Sequence, residues 1–470
     1  MIRTAATENG IVRGLPADDP RVTVFRGIPF AAPPTGDNRW RAPQPAENWE
    51  GERKCYEFGP ISMQDQPGVG DDLYSREWHV DPDIPISEDS LYLNVWTGAK
   101  NTDEKLPILV WIYGGAFQWG YTSEMEFNGE RLARHGVIVV SIAYRLGVFG
   151  FLAHPELTAQ DAQHPANFGL LDVQAGLSWV YRNIEAFGGD RNSITLAGQS
   201  AGGAAVTFTL ANPANTQMIR RASVFSGLIR NPFMHDGIIE PGGLETAERN
   251  GEEFLKFIGC ANIDEARQMD AIVIRDKYAE YAKNHPRFVP CLDGKYVKAD
   301  PFGLLISGDI ADVPFFAGYT NDEFLWDLPR RADMSDEQKS LIKADVIEKS
   351  GTEYFNVVQN SVRTAADAHK TNGLKEPLYV YRFAPSVPGY DNPGAFHSCD
   401  LWFFFETIQK CWRPFDGLHY ALARRMCDYW TNFIRTGDPN GTGYDGEVLP
   451  KWDPSGKGSY DEYEMVFSEK

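Results

Sequence analysis

Apolar residues along this chain fall into short continuous runs separated by stretches with helical spacing. The runs at 106–115 and 136–145 are almost entirely apolar and rich in β-branched residues, which is typical of strands buried on both faces. Four shorter runs share this character, at 193–198, 221–227, 312–318 and 377–384. Helical spacing follows or separates them, at 170–187, 201–211, 248–260, 335–350 and 353–369. The alternation predicts an α/β fold with a large, mainly parallel twisted sheet and helices on both faces.

The two ends of the chain differ from this regular middle. The first hundred residues are rich in Pro, Gly and Trp, which indicates loops between short strands, and 90–96 is the clearest of these strands. Near the other end, 400–435 has a helical pattern that the segment 437–446 interrupts. No repeat or low-complexity linker marks a boundary, so we expect a single domain over 1–470.

The segment Gly198-Gln199-Ser200-Ala201-Gly202 lies directly between a predicted strand and a predicted helix. A nucleophilic serine needs this strand–turn–helix setting, because the tight turn projects its hydroxyl above the edge of the sheet. Glycine on both sides leaves room for the turn, and the following helix points N–H groups at the site. An ordinary Gly-rich turn matches the same pattern, but the context favours Ser200 as a catalytic nucleophile.

A nucleophilic serine needs a base. In such a fold the partners follow in the order serine, acid, histidine, which leaves five candidates: His235, His285, His369, His397 and His419. His397 lies on a loop after the strand candidate 377–384, and the carboxyl ends of sheet strands are where active-site residues collect. The other four lie in polar stretches or in a predicted helix. We therefore interpret His397 as the base rather than as a structural histidine.

The acid should lie between Ser200 and His397 and should also follow a strand. Asp322 and Glu323 meet both conditions, because they follow the strand candidate 312–318. A carboxylate in this place accepts a hydrogen bond from the imidazole Nδ1–H, fixes the tautomer and stabilises the imidazolium. Position alone does not choose between the two carboxylates, and either has the alternative of a solvated surface acid.

The transition state of acyl transfer needs N–H donors for its oxyanion. The N–H of Ala201, directly after the nucleophile, is one candidate. Others lie in the turn Tyr113-Gly114-Gly115-Ala116-Phe117, which follows the strand candidate at 106–112. Glycine in that turn allows a close approach of the backbone to the substrate carbonyl, although a plain glycine-containing loop has the same appearance.

Composition and charge narrow the function further. The 470 residues carry a formal net charge of −20, which disfavours nucleic acid and anionic membranes as partners. Dinucleotide and P-loop motifs are missing from the sequence, and neither the six cysteines nor the histidines show zinc-site spacing, so we expect no cofactor and no metal. The first residues lack a signal-like apolar segment, and no apolar run approaches about 18 residues. We expect a cytoplasmic protein, monomeric or homodimeric.

Blocks from about residue 9 to residue 467 resemble those of the type-B carboxylesterase family, in the same order. This family is the cholinesterase-like branch of the α/β-hydrolases and includes the para-nitrobenzyl esterase type. The blocks include SEDSLYLNVW at 87–96, LVWIYGGAF at 109–117, TLAGQSAGG at 195–203, FAGYTNDEF at 316–324 and GAFHSCDLWF at 394–403. The resemblance covers nearly the whole chain, and the combination of blocks is highly specific.

The resemblance implies an α/β-hydrolase fold and a catalytic triad of Ser200, His397 and Glu323. It selects Glu323 over Asp322, because the glutamate closes the matching family block. It also implies an oxyanion hole formed by three backbone N–H groups, those of Gly115, Ala116 and Ala201.

Three further residues have a role that the resemblance implies. Ser226, in the block VFSG, resembles a serine that supports the acid and the histidine. Arg39 and Glu88 resemble a buried ion pair of the family. This pair would be structural, so loss of one partner should destabilise the fold.

The chain also departs from the family pattern. Ser90 stands where the family block carries a cysteine, and Met269 stands near the expected partner of Cys260, so the disulfide-bonded secreted form is not indicated. The distance in sequence from the acid to the histidine is short for the family. We therefore expect a trimmed cap over the active-site gorge, with cap or gorge-wall insertions at approximately 228–300 and 325–376.

The residues and the resemblance together predict a serine hydrolase that cleaves carboxylic esters through an acyl-enzyme intermediate. A small or aromatic ester is the expected substrate, and Phe117, Trp119 and Trp326 are candidates to line its pocket, with core packing as the alternative. Short-chain, aromatic and hydroxycinnamoyl esters remain open, whereas choline esters and long-chain lipids are less favoured. The alternative function is a non-catalytic binding module on the same scaffold.

Overall fold

The computed structural model describes residues 1–70, 72–228, 243–323, 357–456 and 459–469. Its strands are β1 (Thr4–Thr7), β2 (Gly10–Arg13), β3 (Leu15–Pro16), β4 (Thr23–Pro29), β5 (Glu52–Lys54), β6 (Tyr92–Thr97), β7 (Leu106–Ile112), β8 (Ile138–Ile142), β9 (Gly189–Gln199), β10 (Arg221–Phe225), β11 (Phe315–Thr320), β12 (Leu378–Phe383) and β13 (Glu464–Phe467). Its α-helices are α1 (Leu73–Glu77), α2 (Glu130–Arg134), α3 (Gly147–Phe151), α4 (Pro155–Gln160), α5 (Phe168–Asn183), α6 (Ala201–Leu210), α7 (Gly243–Ile258), α8 (Ile263–Gln268), α9 (Ala271–Tyr281), α10 (Pro301–Ser307), α11 (Val357–Asn372), α12 (Leu401–Phe404), α13 (Gly417–Thr436) and α14 (Tyr460–Tyr463).

Ten strands form one sheet in the order β13-β12-β11-β10-β9-β7-β8-β6-β4-β3. All neighbours from β13 to β8 pair in parallel, and β6, β4 and β3 continue the sheet with antiparallel pairing. Strands β1, β2 and β5 form a separate small sheet. The predicted large, mainly parallel sheet is therefore confirmed.

The central strands are buried on both faces, as their apolar sequences predict. Every residue of β8 and of β10 is buried, and helices α5 and α6 pack beside them. Aromatic rings fill the core behind the carboxyl ends of the strands. The ring of Phe225 lies 5.0 Å from the rings of both Phe404 and Trp430, and the Trp430 ring lies 6.2 Å from that of Trp111. This packing gives the strand ends a rigid base.

The predicted continuous helical tail at 400–435 is wrong. The structure has the short helix α12, an irregular segment, and then α13. Pro414 lies in the break, where its missing N–H cannot continue a helix. Asp416 then begins the second helix, because its side chain accepts hydrogen bonds from the backbone N–H groups of Leu418 and His419.

The segments expected to form the cap lie between β10 and β12. Helices α7 to α10 connect β10 to β11, and α11 lies between β11 and β12. The predicted helices at 248–260 and 353–369 correspond to α7 and α11, with boundaries shifted by a few residues. The predicted helix at 335–350 lies outside the described residues.

The ion pair expected from the resemblance is present. Arg39 makes two hydrogen bonds of 2.6 Å to the carboxylate of Glu88, and their side chains are 5% and 9% exposed. A third guanidinium nitrogen donates to the carbonyl of Met269 at 2.7 Å. Ser90, which stands where the family carries a cysteine, lies 3.0 Å from Ser62 between the two hydroxyl oxygens. Among the described helices, none is both long and apolar enough to cross a bilayer.

Candidate active site

The predicted site residues lie at the carboxyl ends of five neighbouring parallel strands. Ser200 directly follows β9, Ser226 follows β10 and Glu323 lies three residues after β11. His397 lies on the loop after β12, and Gly115 lies in the turn after β7. These strands are adjacent in the order β12-β11-β10-β9-β7, so their ends meet along one edge of the sheet. This is where ligands and catalytic groups of parallel sheets collect.

Ser200 lies on a strained turn between β9 and α6. Its φ of 52° and ψ of −123° are unusual for a residue with a side chain, and its N–H donates to the carbonyl of Phe225 at 2.8 Å. A Cβ at position 198 would collide with the backbone of Gly202, and one at 202 would collide with the carbonyl of Ile112. Glycine is therefore required at both places, and the turn has the geometry of a nucleophile elbow.

His397 and Glu323 form a buried pair. The imidazole Nδ1 is hydrogen-bonded to Oε2 of Glu323, and the two residues are 4% and 0% exposed. The other carboxylate oxygen, Oε1, accepts hydrogen bonds from the Ser226 hydroxyl and, at 2.9 Å, from the N–H of Thr320. These three donors hold the glutamate in one orientation, so the ring is held with Nε2 directed away from the carboxylate.

Asp322 is the other carboxylate that sequence position alone allowed as the acid, and it bonds to a different part of the structure. Its carboxylate accepts a hydrogen bond from the N–H of Ala395 at 2.8 Å, and its own N–H donates to the carbonyl of Ala395 at 3.0 Å. Asp322 therefore joins the turn after β11 to the loop that carries His397. The imidazole itself contacts Glu323.

Two residues that the sequence did not indicate contact His397 from other sides. The amide Nε2 of Gln199 lies 3.0 Å from the imidazole Nε2, which brings the ring to the residue directly before Ser200. The hydroxyl of Tyr74 donates to the backbone carbonyl of His397 at 3.3 Å. Nothing in the sequence relates Tyr74 to this loop, because 323 positions separate the two residues.

A second buried carboxylate lies near the predicted triad residues His397 and Glu323. Asp400 is fully buried and accepts a hydrogen bond of 2.6 Å from the hydroxyl of Tyr381, while its Oδ1 has no partner among the described residues. Burial raises the pKa of Asp400 to about 7, the Tyr381 hydrogen bond opposes that rise, and the charge of Glu323 adds to it. The sequence could have suggested Asp400 only through its position three residues after His397.

The turn after β7 presents backbone N–H groups to this edge. Gly115 and Ala116 have positive φ values of 101° and 54°, and the carbonyl of Gly115 accepts hydrogen bonds from Gln118 and Trp119. No acceptor among the described residues takes the N–H groups of Gly115, Ala116 or Ala201. Free N–H groups of this kind are suited to a developing oxyanion.

The three residues expected to line the substrate pocket have different outcomes. The ring of Phe117 is fully buried and packs against those of Phe151, at 5.2 Å, and Tyr144, at 6.5 Å. Trp119 lines a cavity of about 180 Å³. Trp326 lies outside the described residues.

The sequence and the fold both match known esterases. The Carboxylesterase family model matches residues 3–357 and 352–470. Human bile salt-activated lipase is 32% identical over 518 residues, which cover 95% of this chain and 64% of that protein. Bovine carboxylesterase 4A is 29% identical over 507 residues, which cover 95% of this chain and 88% of that protein.

A solved structure extends the likeness to three dimensions. The crystal structure of a Geobacillus stearothermophilus carboxylesterase matches with a TM-score of 0.79 and 29% identity, covering 100% of this chain and 96% of that one. The fold is that of the α/β-hydrolases. The chain belongs to the carboxylesterase family.

Proposed function

We propose that this chain is a serine hydrolase that cleaves carboxylic esters through an acyl-enzyme. Ser200 is the nucleophile, His397 the general base and Glu323 the acid that orients the imidazole. The observation that carries the proposal is the buried His397–Glu323 pair, whose ring reaches the elbow through the 3.0 Å contact with Gln199. A strained serine, a base and an orienting carboxylate are the parts that acyl transfer needs.

In the acylation step, Oγ of Ser200 attacks the carbonyl carbon of the ester while Nε2 of His397 takes the hydroxyl proton. The carbonyl π electrons move to the oxygen, and the N–H groups of Gly115, Ala116 and Ala201 stabilise that oxyanion. When the tetrahedral intermediate collapses, the C–O bond to the alcohol breaks. The alcohol leaves with the proton from Nε2, and the acyl group stays on Ser200.

Deacylation repeats the sequence with water. His397 removes a proton from the water as its oxygen attacks the acyl carbon, and the same N–H groups stabilise the second oxyanion. Collapse breaks the bond to Oγ, returns the proton to Ser200 and releases the carboxylic acid. Glu323 accepts the hydrogen bond from Nδ1 and stabilises the imidazolium in both steps.

A small or aromatic ester is the proposed substrate class. The cavity beside Trp119 has a volume of about 180 Å³ and is also lined by Gln118, Phe149 and Tyr278. A cavity of roughly 150 Å³ is enough for a benzene ring. Two of its lining residues, Gln118 and Trp119, directly follow the turn that carries the proposed oxyanion donors. This position along the chain and the cavity volume support a short acyl chain or one ring as the occupant.

Hydrolysis of p-nitrophenyl esters tests both the assignment of Ser200 as the nucleophile and the proposed substrate class. Ser200→Ala should lower kcat by about 10⁴- to 10⁶-fold, whereas Ser62→Ala, which removes a buried hydroxyl bonded to the Tyr144 carbonyl, should keep kcat. Substantial turnover by Ser200→Ala contradicts the nucleophile assignment. In the wild type, kcat/KM should be highest for acetyl to butyryl and benzoyl esters. A steady rise toward long acyl chains contradicts the substrate class alone.

A further inference from the structure

A second group of chemically active side chains lies apart from the triad. His135 follows α2, Glu406 follows α12, and Cys427 lies in the middle of α13. One ligand atom from each residue can be chosen so that all three lie within 4.8 Å of one another. The Cys427 side chain is fully buried, and those of His135 and Glu406 are 10% and 15% exposed. The three donors come from separate elements, so no spacing in the sequence reveals the cluster.

The donor set has the chemistry of a zinc site. Zinc binds thiolate sulfur, imidazole nitrogen and carboxylate oxygen, and a fourth position can hold water. Ligand atoms around a tetrahedral zinc ion are separated by roughly 3.3–3.8 Å. Nε2 of His135 and Oε2 of Glu406 are already 3.4 Å apart. The Cys427 sulfur lies within 4.8 Å of a ligand atom of each of the other two residues.

The other nitrogen of His135 has the partner that metal-binding histidines usually have. Nδ1 lies 3.5 Å from Oδ1 of Asp428, and the same oxygen accepts the N–H of Tyr444 at 3.0 Å. The Tyr444 ring also packs against the imidazole, with 4.7 Å between the ring centres. A carboxylate on Nδ1 fixes the tautomer and leaves the Nε2 lone pair for a cation. We propose that His135, Glu406 and Cys427 bind a zinc ion and that Asp428 orients His135.

The local charge is consistent with a cation between these groups. The carboxylates of Glu406 and Asp428 both lie within 3.5 Å of the His135 ring nitrogens, and the charge of a bound cation would offset theirs. The guanidinium of Arg435 donates to the carbonyl of His135 and balances part of the negative charge. The site would tie the middle of α13 to the turn before β8, away from the ester chemistry.

Metal content and spectroscopy test the site directly. The purified protein is stripped with a chelator, given zinc, passed through a desalting column and analysed for metal. We expect one zinc per chain in the wild type and in Cys55→Ser, which removes another buried free cysteine. Cys427→Ser should lose the zinc, as should Glu406→Gln. Cobalt in place of zinc should give a thiolate charge-transfer band that Cys427→Ser lacks.

Two results would overturn the proposal. One is a wild-type protein that retains no zinc and gives no thiolate–cobalt band, which leaves His135 as a neighbour of two carboxylates. The other is zinc and a cobalt band that persist in folded Cys427→Ser. Circular dichroism establishes that each variant is folded. If Cys427→Ser does not fold, the wild-type cobalt spectrum and the metal content of Glu406→Gln still decide whether zinc binds at this site.

Discussion

Two buried ion-pair sites of this protein look alike by burial and charge but differ in what they can do. Glu88 holds Arg39 through two hydrogen bonds of 2.6 Å, and Glu323 holds His397 in a similarly dry place. Arginine keeps its proton at any physiological pH, whereas histidine exchanges one near neutrality. Arg39 is further fixed by the carbonyl of Met269, while Nε2 of His397 faces the elbow. Of these two pairs, the His397–Glu323 pair is therefore the one that we propose to move a proton to and from a substrate.

Substitution of Glu323 and of Asp322, the two carboxylates after β11, should give very different losses of kcat. Glu323→Gln should lower kcat by about 10⁴-fold, because an amide no longer stabilises the imidazolium and favours the wrong tautomer. Asp322→Asn should cost far less, since Asp322 bonds to the Ala395 backbone. Rates of p-nitrophenyl acetate hydrolysis measure both. A greater loss in Asp322→Asn would move the acid role to Asp322.

Breaking the Arg39–Glu88 pair should lower the stability of the fold and leave the catalytic rate unchanged. Glu88→Gln leaves the Arg39 guanidinium buried without a full counter-charge, which should cost about 3–5 kcal/mol of unfolding free energy. The kcat of the folded fraction should stay near the wild-type value. Urea unfolding and active-site titration measure the two quantities. A wild-type unfolding midpoint for Glu88→Gln would refute the structural role.

The buried carboxylate of Asp400 predicts a pH dependence of stability. The pKa of Asp400 is raised from 3.8 to about 7 in the folded chain, so the native state binds a proton that the unfolded state has released. The contribution of Asp400 is therefore lost as the pH rises from acid toward and through 7. The full contribution, between the unfolded and the folded pKa, is on the order of 4 kcal/mol.

The matched variant is Asp400→Asn, which cannot ionise. Its stability relative to the wild type should increase between pH 5 and pH 8, as measured by urea unfolding at each pH. The carboxamide oxygen can still accept the Tyr381 hydrogen bond. Parallel pH profiles for the two proteins would show that Asp400 does not titrate in this range.

Backbone strain at Ser200 should produce a small difference in stability between two substitutions at this position. Ser200 has a φ of 52°, a conformation that glycine adopts without strain and alanine does not. Ser200→Gly should therefore be more stable than Ser200→Ala by about 1 kcal/mol. Thermal unfolding of the two inactive variants makes the comparison without any contribution from the hydroxyl. Equal melting temperatures would mean that the turn is not strained.

The sequence predicts the parts of this site that local pattern determines. The strand before Ser200, the helix after it and the glycines beside it are all short-range features, and the loop position of His397 follows from the strand before it. The choice of Glu323 over Asp322 needed the family resemblance. Adjacent side chains in a turn point in different directions, and their positions in the sequence do not show which one faces the histidine. The structure places Glu323 on the imidazole.

The remaining features depend on contacts between distant parts of the chain. Tyr74 reaches the His397 backbone, and the side chain of Gln199 reaches its ring, only because the sheet brings their elements together. The packing of Phe117 against Phe151 also depends on such contacts, so the sequence left pocket lining and core packing as alternatives for this residue. Pro414 is a local signal that could have indicated the break in the helical tail.

The proposed reaction depends on the attack of Ser200 on a carbonyl with the help of the buried His397–Glu323 pair. The most direct measurement is mass spectrometry of peptides after reaction with an organophosphate ester at neutral pH, for the wild type and for Glu323→Gln. We expect one phosphoryl group on Ser200 in the wild type and much slower labelling in the variant. No adduct on Ser200, or labelling at an unchanged rate in Glu323→Gln, would contradict it.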